Sequence, residues 1–390
     1  MENIAIIITK LNGGGAERCA SNLSIELSKK YNVYLVVFDG RNITYPYEGN
    51  LIDLAIPDSH NFLDRVINVF KRVSVVKKLK KNHKIQCSIS LLDGPNIVNT
   101  MSKQKDKVIV SVRNRLSGEN VGKLRKKLIT YCSKKSDLTV SLSKMVKKDL
   151  IEEFGIQPDK IVTVYNHCDP ILLRSLSKNS PKPSYINKES VYIATMGRLN
   201  HQKGQWHLIR AFREVLKEIP NAKLLIIGEG ELEQKLKQLA TDLGIADQVI
   251  FTGFIKNPHN MLQYSEMFVF PSLYEGLGNV LLEALAFEMP IISADCIAGP
   301  REILAPDTKL DDTATSMQLE KYGILVPVMD AEHFDANEPL TEAESELTKA
   351  IIKLHYDEKL RRDYSSAASL RIKDFSKERI MQMWECCIEK

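Results

Sequence analysis

Short apolar runs of four to six residues recur along the chain, and between them lie longer stretches in which apolar residues return every third or fourth position. The runs fit strands buried on both faces; the longer stretches fit helices with one apolar stripe. In the first half the runs fall at 4–9, 33–38, 85–90, 107–112, 138–141 and 161–165, with helical stretches such as 16–30 and 144–154 between them. A second series begins at Val191, with runs at 191–196, 223–227, 249–252, 267–270, 290–294 and 323–326, and helical stretches at 207–218, 232–243 and 279–286. Strand–helix alternation of this kind predicts a parallel sheet with crossover helices, here twice over: an α/β chain of two doubly wound domains.

Between the two series the composition changes. Residues 173–190 read LRSLSKNSPKPSYINKES, rich in Ser, Lys, Pro and Asn, as expected of an interdomain linker. The expected division is a first domain at 1–172, the linker at 173–190, a second domain at 191–373, and a closing segment at 374–390 that packs back on the first domain. Residues 330–340 read as a polar loop, 347–369 as one helix and 376–389 as a last amphipathic helix. Two domains of one class predict a ligand cleft between them.

Length and composition fit this picture: 390 residues exceed one ordinary core, and 44% hydrophobic with 26% charged residues is globular. No apolar run reaches the ~18–20 residues that span a bilayer. The run at 4–9 is too short for the core of a secretion signal, so a cytoplasmic, non-spanning protein is expected. Seven scattered Cys without a C-x-x-C pair read as reduced structural thiols. Charge is uneven: residues 1–178 hold 30 Lys and Arg against 17 Asp and Glu, net +13, while the remainder holds 24 against 32, net −8. Either the two domains are solvated differently, or the first faces something anionic.

Three segments after predicted strands carry candidate chemistry. The first is Asn12-Gly13-Gly14-Gly15-Ala16-Glu17-Arg18, which opens a helix. Glycines there let backbone N–H groups approach an anion at the positive end of a helix. A dinucleotide site is the rival, with Asp39 placed to bind a ribose, but Arg18 stands where that motif wants a third glycine. The loop alone leaves phosphate or sugar contact and a merely tight turn both open. The second segment runs from Gly197-Arg198-Leu199 to Lys203-Gly204 and sets two cations at the carboxyl edge of the sheet. Such a pair can neutralise a departing diphosphate, work that other enzymes give to a metal ion. The third is Glu275-Gly276-Leu277-Gly278-Asn279, leading into a helix that carries Glu283. Glycines and a helix N-terminus again suit an anion, and a carboxylate can accept two hydroxyl hydrogen bonds from a sugar or ribose diol. Glu283 lies among Leu281, Leu282, Ala284, Leu285 and Ala286, which is no solvated face.

Together these segments resemble glycosyltransferase family 4. The matching pieces are GGGAER at 13–18, GRLNHQKG at 197–204, GEGE at 228–231, TGF at 252–254 and EGLGNVLLE at 275–283, while VYNHCDP at 164–170 resembles the family's exit from its first domain. The pieces cover nearly the whole chain in order. The resemblance implies the GT-B fold, two facing Rossmann-like domains with a cleft between them, and transfer with retention at the anomeric carbon. It implies Arg198 and Lys203 on the donor diphosphate, Glu275 on donor-sugar hydroxyls and Glu283 on the ribose diol. Gly13, Gly14, Gly15 and the backbone of Gly276, Leu277, Gly278 and Asn279 would line phosphates and sugar. Gly228, Thr252, Gly253 and Phe254 would flank the nucleobase and ribose.

The chain also departs from the family. Many relatives carry a His after the strand that matches 108–112; here the stretch reads Ser111-Val112-Arg113-Asn114-Arg115, so the sugar contact passes to Arg113 or Asn114. His167 stands where the exit motif usually has Gly. Arg301, opening a helix in Gly299-Pro300-Arg301-Glu302, either faces the cleft or makes a surface ion pair.

These features lead to one expectation: a retaining, metal-independent glycosyltransferase using a UDP-sugar, with no cofactor and no metal site. The chain has no Asp-x-Asp motif. Its acceptor would be a glycan or lipid-linked glycan of surface-polysaccharide synthesis. A sugar-nucleotide epimerase and a non-catalytic donor- or glycan-binding partner subunit are the alternatives. Two stretches, 62–84 and 123–135, interleave apolar residues with lysines and arginines. They predict peripheral attachment to the anionic inner face of the cell membrane, rather than nucleic-acid binding.

Overall fold

The computed structural model describes residues 1–59, 61–116, 122–255 and 257–389. The chain forms two compact units, one comprising Met1–Asn166 with Glu378–Lys390 and the other His167–Lys377.

The first unit is built on a sheet of β1 (Asn3–Ile8), β2 (Asn32–Val37), β3 (Asn50–Asp53), β4 (Cys87–Leu91), β5 (Lys107–Val112), β6 (Leu138–Ser141) and β7 (Ile161–Thr163). The order is β3-β2-β1-β4-β5-β6-β7 and every pairing is parallel. Helices cover both faces, so β1 and β4 are buried almost throughout; β1 is an apolar run after Asn3, whereas β4 alternates apolar residues with the buried Ser88 and Ser90. Strand β3 was not expected. It lies at the sheet edge with a half-exposed Asn-Leu-Ile-Asp sequence that carries no such run. The helix Lys377–Glu389 completes this unit's core: Ile380, Met381, Trp384, Cys387 and Ile388 pack with Ile4, Leu23, Leu27 and Leu35.

The second unit holds β8 (Val191–Met196), β9 (Ala222–Ile227), β10 (Val249–Phe251), β11 (Met267–Phe270), β12 (Ile291–Ala294), β13 (Gln318–Glu320) and β14 (Gly323–Val326). Their order is β10-β9-β8-β11-β12-β14-β13, parallel except for the three-residue edge strand β13. In both sheets the order reverses beside the first strand, between β1 and β4 and between β8 and β11. Loops after the carboxyl ends of those strands diverge there and leave room for a ligand.

Two expectations need correction. Residues 173–190 are not simply a linker: Pro170–Lys178 is a helix of the second unit, packed against the helices His259–Leu262 and Asn279–Ala286. Its signals are local. Asp169 accepts from the Leu172 N–H at 3.0 Å as N-cap, and Pro170 takes the first helical position, where its missing N–H costs nothing. The unit boundary accordingly falls at Asn166 and His167. The expected single helix at 347–369 is two, Glu342–Tyr356 and Glu358–Arg371. Asp357 divides them, leaving helical geometry and accepting from the Leu360 N–H at 3.0 Å to cap the second.

Candidate functional site

The second unit gathers most of the expected site at the carboxyl edge of its sheet. Strand β8 ends at Met196, and Gly197 (φ 154°) lets the chain turn into Arg198. The Lys203 stem folds over Gly197, so that a methyl group there would lie 3.3 Å from the lysine Cε. Lys203 Nζ lies 2.5 Å from Glu275 Oε1, on the loop after the neighbouring strand β11. The pair bridges the two loops where strand order reverses. Both side chains are largely buried, and the Lys203 ammonium also lies 5.2 Å from the centre of the Phe270 ring. An ammonium has three protons. One goes to Glu275, and no further acceptor for Lys203 occurs among the described residues. Arg198 is exposed, and its guanidinium makes no hydrogen bond or ion pair with any described residue. Burial, and then the Glu275 charge, push the nearby Cys296 thiol well above its usual range, so it stays neutral.

After Glu275 come the buried residues Gly276, Leu277 and Gly278. Their backbone N–H groups donate to no acceptor among the described residues. Gly278 (φ 82°) begins the helix Asn279–Ala286 and supplies no side-chain cap. Buried backbone donors are seldom left unpaired in proteins. Here they follow Glu275, the partner of Lys203, into a helix N-terminus, an arrangement suited to an anion such as a phosphate.

Gly228 and Gly253 form an isolated antiparallel bridge after β9 and β10. A methyl group at Gly228 (φ 137°) would lie 2.1 Å from the Gly197 carbonyl oxygen, so three glycine segments far apart in sequence meet there. Thr252 turns its hydroxyl to the Gly253 carbonyl at 3.1 Å, and Phe254 is 73% exposed. Glu283 is buried one turn into its helix, with Oε2 3.3 Å from Nε2 of the buried His259. Sequence reasoning passed over His259, which lies in a Pro-His-Asn stretch with no periodic signal.

Arg301 does neither of the things expected of it. It is buried, and its guanidinium is taken by Asp295, Thr308 at 3.1 Å and Gln318 at 3.0 Å. Asp295 in turn accepts from the Ala314 N–H at 2.7 Å. With its donors so committed, Arg301 braces the segment that follows β12 and has little left for a ligand.

In the first unit, Gly14 precedes the helix Gly15–Leu27, which also lacks a side-chain hydrogen-bond cap. The Glu17 carboxylate folds back over the loop, so that a methyl group at Gly14 would lie 2.0 Å from its Oε2. Arg113, after β5, is buried and donates to Asn166 Oδ1 and, at 3.3 Å, to Ser111 Oγ. It also faces the Cys19 thiol, which burial pushes up and Arg113 opposes. Of the two expected sugar contacts only Asn114 presents an exposed side chain.

Comparisons with known proteins identify the family. Residues 13–171 match the family described as Glycosyltransferase Family 4, and residues 177–334 match Glycosyl transferases group 1. An uncharacterised glycosyltransferase of Methanocaldococcus jannaschii is 36% identical over 339 residues, covering 82% of this chain and 83% of the relative. The N-acetylgalactosamine-N,N'-diacetylbacillosaminyl-diphospho-undecaprenol 4-alpha-N-acetylgalactosaminyltransferase of Campylobacter jejuni is 28% identical, over 97% of both chains. Among solved structures, Anabaena HepE in complex with UDP superposes with a TM-score of 0.76 at 17% identity, over the full length of both chains. With both family matches and a relative this similar over most of its length, the chain belongs to glycosyltransferase family 4: it is a glycosyltransferase of the GT-B fold.

Proposed function

We propose that this glycosyltransferase moves a hexose or N-acetylhexosamine from a UDP-sugar to a glycan or lipid-linked acceptor in surface-polysaccharide synthesis, with retention and without a metal ion. The observation that carries the donor reading is the set of uncommitted donors beside Glu275: Arg198, the remaining protons of Lys203, and the N–H groups of Gly276, Leu277 and Gly278. Such donors favour the charge that grows on a leaving diphosphate more than the charge it carries beforehand. Glu275, held by Lys203, is placed to accept from donor-sugar hydroxyls. Glu283 accepts from the ribose diol. In the mechanism we favour, the departing phosphate oxygen takes the acceptor proton on the face it leaves, so no protein nucleophile is needed; positioning and charge do the work. Support for the substrate classes comes from relatives. The Campylobacter enzyme is named for a diphospho-undecaprenol acceptor, and HepE has been crystallised with UDP and with UDP-glucose.

The membrane reading concerns the first unit. No described helix is long and apolar enough to cross a bilayer. The helix Phe62–Asn82 nevertheless leaves Phe62, Leu63, Val66, Ile67 and Phe70 exposed, while Val76 and Leu79 are buried. The apolar residues of this helix thus divide: Phe62, Val66 and Phe70 face solvent, while Val73 and Val76 pack on the sheet side. The helix Lys123–Lys135 likewise exposes Leu124, Leu128 and Tyr131 among its basic residues. Apolar side chains flanked by cations suit an anionic lipid surface. Lys80 has to be struck from that surface, because it is buried in an ion pair with Asp106 at 2.8 Å.

The test is a panel of nucleotide sugars, each with and without lipid-linked acceptors, read by product mass and by the anomeric coupling of the new linkage. Transfer with the donor's anomeric configuration, unaffected by EDTA, is expected. Donor conversion without acceptor would point to an epimerase. Donor binding without any turnover would point to a partner subunit. Activity lost in EDTA and restored by Mn²⁺ would overturn metal independence.

A further inference from the structure

We infer that a small cavity in the first unit receives the acetamido group of the acceptor's terminal sugar, so that the acceptor is an N-acetylhexosaminide. With the donor phosphate assigned to the second unit, the acceptor falls to the first, and the inference rests on that reading. The cavity lies between the helices Asp93–Met101 and Lys123–Lys135 and reaches Val112, the last residue of β5. Asp93 and Arg125 stand in the first turns of these helices, part-exposed and paired at 2.9 Å, and mark its mouth. Its inner residues, among them Val112, Ile129 and Ser133, are buried. Helices that follow parallel strands begin at the carboxyl edge of the sheet. The mouth therefore lies at the edge where β5 runs on into Arg113 and the exposed Asn114.

The polar groups around this space are committed, with one exception. Asp93 and Arg125 hold each other. Asn96 accepts from Ser90 Oγ at 2.7 Å and donates to the Ser111 carbonyl at 2.9 Å. Burial pushes the Cys132 thiol up to about 11, which keeps it neutral. Ser133 is the exception: it is 1% exposed, and its hydroxyl has no hydrogen-bond partner among the described residues. Buried hydroxyls of this kind are few in folded proteins, and a ligand that brings an acceptor accounts for one. Size and lining then limit the ligand. The space is about 40 Å³. A polyprenyl chain is too large for it, since even benzene takes a cavity of ~150 Å³. A water molecule would fit, but it needs roughly two to four polar partners and here meets Ser133 and a largely apolar wall. An acetamido group matches both features. Its methyl is buried among Ile97, Leu128 and Ile129, and its carbonyl oxygen accepts from Ser133. A plain hydroxyl brings no methyl to bury, and an ammonium would be stranded among apolar side chains.

The experiment uses the full chain with the methyl glycosides of N-acetylglucosamine and N-acetylgalactosamine, their propionamido and free-amino analogues, and the parent glucoside and galactoside. Glycoside binding is titrated by saturation-transfer NMR with UDP present, and UDP binding is measured by calorimetry. One of the acetamido glycosides should bind about tenfold more tightly than its parent, the worth of one buried methyl and one neutral hydrogen bond, with the acetyl methyl the most strongly saturated group. The propionamido analogue, one methylene larger, should fall back toward the parent. Ser133→Ala keeps the space but removes the donor, and should cut the acetamido preference about fivefold. Ser133→Leu fills the space and should abolish the preference; Ile97→Phe fills it from the other helix should Ser133→Leu fail to fold. UDP affinity should stay native in each folded variant, which a general loss of structure would not allow. Equal binding of acetamido and parent glycosides by the native chain, or no binding by any acetamido glycoside, would overturn the inference. An acetamido preference that survives Ser133→Ala and a filled cavity would place that group elsewhere and overturn it too. If Ser133→Ala instead alters the choice between UDP-N-acetylhexosamines and UDP-hexoses, the acceptor reading of the first unit fails and the inference with it. If the native chain does not bind UDP, the donor reading fails first.

Discussion

The two units share one sheet plan and each places a glycine loop at the carboxyl edge of its sheet, yet the loops dispose of their carboxylates differently. In the first unit Glu17 lays its carboxylate over Gly14. In the second, Glu275 is neutralised by Lys203, and Arg198 and three backbone amides have no partner among the described residues, so the edge is positive. Glycines and a helix N-terminus are present in both. The charges left over after internal pairing decide what each can bind. On the function proposed above, the second loop is the one that would take the donor phosphate.

The strongest way to break this contrast is to remove its positive edge. Lys203→Ala should lower kcat/KM for the donor by about 10³-fold, and Arg198→Ala by about 10²-fold, as expected for groups that meet developing phosphate charge. Melting curves must accompany the lysine variant, because it strands the buried Glu275. Retention of near-native activity by a folded Lys203→Ala would end the proposal for this edge.

The next test separates the two glutamates. Glu275→Gln should cost about 10²-fold in kcat with UDP affinity little changed, because its partner is the sugar as charge develops. Glu283→Gln should weaken UDP itself by about 1–3 kcal/mol, the range for a hydrogen bond to a buried charge. Equal losses of UDP affinity in both would show that the roles are not divided as proposed.

Glycine substitutions sharpen the comparison through stability. Gly228→Ala sets a methyl group 2.1 Å from a backbone oxygen at φ 137°, with nothing able to yield, and should cost roughly 3 kcal/mol or more in urea unfolding. Gly14→Ala meets only the end of the Glu17 side chain and should cost about 1 kcal/mol or less, since that carboxylate can swing away. A Gly14→Ala variant as unstable as Gly228→Ala would mean that Glu17 is fixed by more than its contact with the loop.

The smallest effect concerns the first unit's outer helices. Binding to anionic vesicles should weaken with salt and fall about tenfold or more when Lys77, Lys78 and Lys81 become Ser, at about 1 kcal/mol for each basic residue. Phe62→Ser with Phe70→Ser should reduce it further, and Lys80 is left intact because its loss would break a buried ion pair. Binding that is equal on neutral vesicles, or unmoved by the triple change, would count against this surface.

Some of the molecule was fixed by local chemistry and could be read from the residues alone. Strands buried on both faces are dominated by apolar and small residues, so the alternation of runs and stripes marked twelve of the fourteen strands among the described residues. The two that escaped, β3 and β13, are short edge strands whose residues meet solvent. Glycines after predicted strands, with cations beside them, singled out Gly197, Lys203, Glu275 and Gly278 as candidates. What the sequence left undecided was which charges would be satisfied internally, since that depends on which loops the sheet order brings together. Arg301 and Lys80 are spoken for by Asp295 and Asp106, while Arg198 is not. Each looks the same as a letter in a string. The crossover between β8 and β11 set Lys203 against Glu275, and the packing of a supposed linker beneath the helix Asn279–Ala286 set His259 against Glu283. A side chain's pairing is a property of its neighbours in space, and only the folded chain supplies them.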